Sequence, residues 1–234
     1  MTQQGIPSHH ALVRLTRKAF AAGTIVVLLL ALFGCKRDRE HGQASVYDDF
    51  VREAARESRT GKAFMESETR AKMPVTLGQL RAAKQYVEEN PDLSSYHLLL
   101  LLRQQAPDLY ASISPSTKAA VLCAGLEQNR FLNDWGNLKP AGSFDRSAAT
   151  ALVETGKTCM PYLRRLLDDK RAAPLFGSAE ATTSHVYRYR RADFAYRYAM
   201  LILKRDPDFD QDANERDRSI MGLKKELNQS GGNQ

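Results

Sequence analysis

Few residues in this chain of 234 combine the types and the spacing that catalysis or metal binding requires. Five histidines are present, but only His97 and His185 lie beyond the N-terminal region, and neither belongs to an H-E-x-x-H or H-x-H pair. The chain also contains no G-x-S-x-G turn, no P-loop and no dinucleotide-binding glycine motif. We therefore expect a non-enzymatic protein without a metal and without a cofactor.

An alternating run of aspartates near the C-terminus is the pattern closest to a metal site. Calcium-binding loops place oxygen ligands at the first, third, fifth and twelfth positions, and aspartate occupies each of these positions here. However, Pro207 is the second residue, Gln211 replaces the glycine that the sharp turn needs, and the bidentate glutamate is absent. We interpret the segment as an acidic loop that caps the last helix. Its aspartates are Asp206, Asp208, Asp210 and Asp212, with Asp217 at the twelfth position.

Two of the three cysteines, Cys123 and Cys159, lie among apolar residues of predicted helices. In such surroundings cysteine commonly packs as a small hydrophobic side chain. We predict two free, buried thiols. A Cys123–Cys159 disulfide is the alternative, because an oxidising compartment would permit it.

Aromatic and basic residues alternate in the segment HVYRYRR at 185–191. Amphipathic aromatic side chains and arginine dominate the contacts that stabilise protein interfaces. Residues of this segment and two aromatic residues of predicted interhelical loops are therefore our candidate partner-binding residues, namely Trp135, Phe176, His185, Tyr187, Arg188 and Tyr189. The alternative is an irregular segment whose tyrosines pack on the helices while its arginines face water.

The composition, 43% hydrophobic and 26% charged, excludes a wholly disordered chain and fits either one medium-sized domain or a domain with appendages. The net charge is +7, and it falls to +4 without residues 1–34, which carry three basic and no acidic residues. This mildly basic balance does not indicate nucleic-acid binding, and we predict none.

The N-terminal segment has the organisation of an export signal. Residues 19–34, AFAAGTIVVLLLALFG, contain no charge and follow the basic residues Arg14, Arg17 and Lys18. As a helix the apolar run would span roughly 24 Å, which is shorter than the roughly 30 Å hydrocarbon core of a bilayer. The pattern therefore favours a cleaved signal over a membrane-spanning helix.

The end of this segment, Leu32-Phe33-Gly34-Cys35, resembles a bacterial lipobox. The resemblance implies that the thiol of Cys35 carries diacylglycerol, which attaches the protein to a membrane, and that residues 1–34 are removed as a signal peptide. Residues 35–44 would then form the lipid anchor and tether, and the protein would face the periplasm or the cell surface. By resemblance to enterobacterial sorting, Lys36 favours the outer membrane. The alternative is an uncleaved signal anchor.

The rest of the chain has the periodicity of an all-α fold. We predict about seven helices in one domain over residues 45–228, followed by a disordered tail at 229–234. Five consecutive leucines, Leu98 to Leu102, predict a central helix buried on all sides. Ser114-Pro115 predicts a helix start, and Gly156 predicts a helix end with positive φ.

Around Gly156 the sequence ATALVETGKTCMPYLRRLLDD, residues 149–169, resembles one HEAT-type unit. Such a unit has a helix, a tight glycine turn, and a second helix with an early proline and inward-facing leucines. The likeness covers about 146–204 and implies HEAT-like helical hairpins in the C-terminal half.

These observations predict a lipid-anchored protein of the bacterial cell envelope whose helical domain binds another protein. Two other hypotheses stay open. An envelope enzyme acting on cell-wall or sugar substrates would need Asp134, His185 and Asp193 to converge. An immunity lipoprotein would protect the cell against a toxin from a neighbour.

Overall fold

The structure is a computed structural model, and it describes residues 49–60, 74–128, 135, 147–173, 186–207 and 209–231. Several sequence predictions lie outside these ranges. They are the signal peptide, the lipid anchor and tether, and the residues Cys35, Asp134, Phe176 and His185.

The described part of the chain is all-α, as the sequence predicts. The helices, in chain order, are α1 (49–60), α2 (Leu77–Glu89), α3 (Tyr96–Gln105), α4 (Pro107–Ser112), α5 (Pro115–Gln128), α6 (Ser147–Thr155), α7 (Met160–Leu166), α8 (Arg191–Ile202) and α9 (Ala213–Gly231). Two 3-10 turns, Leu93–Ser95 and Gly156–Cys159, precede α3 and α7. Among these residues β pairing is limited to one isolated bridge between Ala172 and Arg190.

Helix α3 lies in the centre of the N-terminal half. All five of its leucines, Leu98 to Leu102, are completely buried, which confirms the prediction. A helix that is apolar on every side needs neighbours on every side. Helices α2, α4 and α5 supply them by packing against α3.

Side-chain caps fix where the neighbouring helices begin. At α2, Thr76 and Gln79 form a reciprocal capping box in which each side chain accepts a hydrogen bond from the other's backbone N–H. At α5, Thr117 N donates to Ser114 Oγ at 3.1 Å. This bond confirms the helix start that Ser114-Pro115 predicts.

Helix α8 is the centre of the C-terminal half, where α5, α6, α7 and α9 pack against it. Its residues Ala192 to Ala199 are all buried. Helices α6 and α7 are joined by the 3-10 turn Gly156–Cys159, and the φ of 70° at Gly156 confirms the predicted left-handed conformation. The HEAT-like character of this half stays a prediction.

Helix α9 extends to Gly231, so the predicted tail at 229–234 begins too early. Leu227 is partly buried against the core, and Arg164 donates a hydrogen bond to Asn228 Oδ1. These contacts with another helix hold the last turns of α9. Residues 229–231 therefore belong to the helix.

Candidate functional site

Two of the predicted partner-binding residues lie in the core. Trp135 is 1% exposed and Tyr189 is 2% exposed. Trp135 stacks on Tyr96 with ring centroids 6.2 Å apart, and Tyr198 Oη donates to the backbone oxygen of Trp135 at 2.5 Å. The structure therefore corrects the prediction for these two rings: their large apolar area is removed from water by the helices and is not presented to a partner.

The rest of the 185–191 segment divides between core and surface. Tyr187 is half-buried and stacks on Tyr189, with ring centroids 5.4 Å apart. Arg188 is exposed and adopts a φ of 49°. The side chains of Arg190 and Arg191 are only 12% and 13% exposed. The alternative interpretation therefore holds for the tyrosines but not for these two arginines.

Buried charges converge on Asp193, at the start of α8. Its carboxylate is fully buried and forms ion pairs with Arg190 at 2.8 Å and with Arg216 at 3.3 Å. Asp217 extends the network, 2.8 Å from Arg190 and 2.7 Å from Lys170. Burial opposes the charge of Arg190, but its hydrogen bonds to Asp193 and Asp217 outweigh this effect and raise the pKa of the guanidinium.

Arg216 connects this network to two other chain segments. Its guanidinium donates to the backbone oxygens of Asp210, Gln211 and Tyr187 at 2.9, 2.7 and 2.8 Å. It also lies over the ring of Phe209, 5.8 Å from the centroid. A buried charge with this many fixed partners holds the surrounding segments in one arrangement.

The enzyme hypothesis receives no support from these contacts. Asp193 is engaged by two arginines and serves the fold, while the other two residues of that hypothesis lie outside the described ranges. No group of three or more His, Cys, Asp or Glu side chains among the described residues could hold a metal ion. In the acidic loop, Asn214 N donates to Asp212 Oδ1 at 2.9 Å, which confirms its predicted capping role.

Cys123 and Cys159 are buried free thiols. A hydrogen bond between the two side chains, together with burial, raises the pKa of the Cys123 thiol. Cys159 Sγ also lies 3.7 Å from the backbone oxygen of Leu152, to which it donates. A thiol with a raised pKa stays protonated, so Cys123 is not an activated nucleophile.

A groove with a volume of about 530 Å³ opens beside α7, between the preceding 3-10 turn and the C-terminal ends of α8 and α9. We call it the α7–α9 groove, and its lining residues are Lys157, Met160, Pro161, Arg164, Leu203 and Leu227. Small-molecule sites commonly have volumes of roughly 300–1,000 Å³. The groove is therefore large enough to take a ligand.

The sequence predictions missed this groove. The periodicity of α7 places Pro161 and Arg164 away from its buried leucines, Leu163 and Leu166, and that pattern was a usable signal. The other wall comes from Leu203 and Leu227, which lie on two distant helices. No local pattern indicates that these side chains meet.

None of the described helices has the length and apolar character needed to cross a bilayer. Comparison of the chain with family models, with curated proteins and with solved structures gave no match. The function of this protein therefore has to be inferred from its own residues.

Proposed function

We propose that this protein is anchored by lipid in the bacterial cell envelope and that its helical domain binds another protein without catalysing a reaction. The observation that carries the proposal is the N-terminal sequence, in which basic residues, an uncharged run at 19–34 and Leu-Phe-Gly-Cys follow one another. Each buried acyl methylene contributes about 0.8 kcal/mol. Two or three acyl chains on Cys35 would therefore hold the domain at a membrane, and Lys36 supports the outer membrane.

Two ionisable side chains of the kind used in catalysis, Asp193 and Cys123, are engaged inside the fold, which supports a binding role. Asp193 is neutralised by arginines inside the fold, and Cys123 is a buried thiol with a raised pKa. General acid–base or nucleophilic chemistry needs a group that can reach a substrate. Neither side chain meets that condition.

Labelling with palmitate tests the anchor. The wild-type chain should incorporate the label and migrate as a product shorter by residues 1–34. Cys35→Ser should abolish both labelling and cleavage, because it removes the thiol and leaves the apolar run unchanged. Cys123→Ser is the matched control and should be labelled normally. An unlabelled wild-type chain of uncleaved length would instead identify 19–34 as a signal anchor.

Site-specific photo-crosslinking in intact cells tests the partner. Arg188 is exposed beside the half-buried Tyr187 and remains the accessible part of the predicted partner site. A photoreactive amino acid at position 188 should give a discrete protein adduct. The same amino acid at position 81, where Arg81 is exposed on α2, is the control and should not. Identical products from both positions would contradict binding at this segment.

A further inference from the structure

The α7–α9 groove carries positive charge that no described carboxylate balances. Lys157 and Arg164 line it, and no acidic residue does. Arg164 donates to the neutral amide oxygen of Asn228, and neither cation forms an ion pair within the described ranges. Glu226, next to Leu227 in the sequence, is bound by Arg205 through hydrogen bonds of 2.6 and 2.7 Å.

The rest of the groove is apolar and open to water. Met160, Leu203 and Leu227 are only partly buried, and Pro161 is exposed. A ligand that covers this surface is stabilised by the removal of apolar area from water. Methionine adapts its shape readily to an aliphatic ligand.

We propose that the α7–α9 groove binds a single-chain anionic amphiphile, such as a fatty acid. The acyl chain would lie against the four apolar residues, and the carboxylate would pair with Lys157 and Arg164. Charge-assisted hydrogen bonds from cations to a carboxylate are about twice as strong as neutral ones. A cationic amphiphile of the same length would fill the same apolar surface but would be repelled by Lys157 and Arg164. The proposal requires neither the lipid anchor nor a protein partner.

Photolabelling of the full chain in lipid nanodiscs tests this inference. The probe is dodecanoic acid carrying a diazirine, and the control is a diazirine-bearing dodecyl trimethylammonium ion. Mass spectrometry should map the carboxylate probe to peptides that contain Met160 or Leu227, and excess dodecanoate should compete with it. The ammonium probe should label these peptides at least tenfold less. Equal labelling by both probes, or labelling confined to residues 1–48, would overturn the proposal.

Variants separate the apolar contact from the charge contact. Leu227→Glu places a carboxylate against the acyl chain and should reduce labelling of the groove at least tenfold. Met221→Glu is the matched control, because Met221 is 62% exposed on the same helix and does not line the groove. Labelling of the groove peptides in this variant should equal that of the wild type. The exposed pair Lys157→Gln and Arg164→Gln should abolish the preference for the carboxylate probe. Labelling that neither Leu227→Glu nor the glutamine pair alters would refute the assignment.

Discussion

Helices α3 and α8 are both buried along most of their length, but they achieve this with opposite chemistry. Helix α3 buries five consecutive leucines, which need only neighbours of the right volume, and one polar side chain, His97, at its start. Helix α8 buries Asp193 and Arg197 among its apolar and aromatic side chains, and a buried charge is tolerated only when other segments supply its partners. The N-terminal centre should therefore be sensitive to volume, and the C-terminal centre to charge.

Removing the carboxylate of Asp193 tests whether the C-terminal centre is sensitive to charge, and it should have the largest effect on stability. Asp193→Ala leaves the buried Arg216 without its carboxylate and leaves Arg190 with Asp217 alone, which should lower the free energy of unfolding by about 3–5 kcal/mol. Urea denaturation measures this loss. Asp206→Ala removes the same charge from an exposed loop position and should change stability by less than about 0.5 kcal/mol. Equal losses of unfolding free energy in the two variants would show that the ion-pair network around Asp193 does not stabilise the fold.

Truncation of a buried leucine tests whether the N-terminal centre is sensitive to side-chain volume. Leu100→Ala leaves a cavity in the packed centre of α3 and should cost roughly 2–5 kcal/mol in the same urea measurement. Leu77→Ala is the control, because Leu77 is 57% exposed at the start of α2. A loss below about 1 kcal/mol for Leu100→Ala would mean that the leucine helix is loosely packed.

Local sequence signals were sufficient for the elements that depend on local chemistry. The leucine run marked the buried helix, Ser114 marked a helix start, and Gly156 marked a turn with positive φ. The end of α9 was misjudged because its last turns are held by a contact between Asn228 and Arg164 on another helix. A polar, glycine-containing end gives no sign of such a contact.

The candidate sites depended on contacts between distant segments and were less predictable. Aromatic residues serve both cores and interfaces, so the sequence did not reveal that Trp135 and Tyr189 are buried. Asp193 was considered as a catalytic group because its partner Arg216 lies on a different helix. Side chains that meet only in the folded chain, such as Leu203 and Leu227, leave no common pattern.

Gly125 lies on α5, the helix that packs against both α3 in the N-terminal half and α8 in the C-terminal half. A Cβ added to Gly125 on α5 would lie 2.3 Å from two ring carbons of Tyr96, a fully buried side chain that cannot easily move away. Gly125→Ala should therefore destabilise the protein by about 1–3 kcal/mol. Gly222→Ala on α9 meets no atom within 4 Å and should stabilise the helix by up to about 1 kcal/mol. A gain of stability at both positions would show that the tyrosine ring is free to shift.

The smallest predicted effect concerns how the stability that charged groups of the C-terminal half contribute depends on pH. Hydrogen bonds from Arg171, with a further one from Arg191, lower the pKa of Asp169 from 3.8 to about 2, although burial opposes the shift. Because the folded pKa is depressed, this carboxylate stabilises the fold above about pH 4 and loses that contribution as the pH falls toward 2. Asp169→Asn should therefore lose less stability between pH 4 and pH 2 than the wild type does, as measured by urea denaturation at each pH. Leu100→Ala should keep the wild-type pH dependence, since it alters volume and no charge. If Asp169→Asn kept the wild-type change of unfolding free energy with pH, the hydrogen bonds from Arg171 and Arg191 would not persist in solution. The sensitivity of the C-terminal centre to charge would then rest on the network around Asp193 alone.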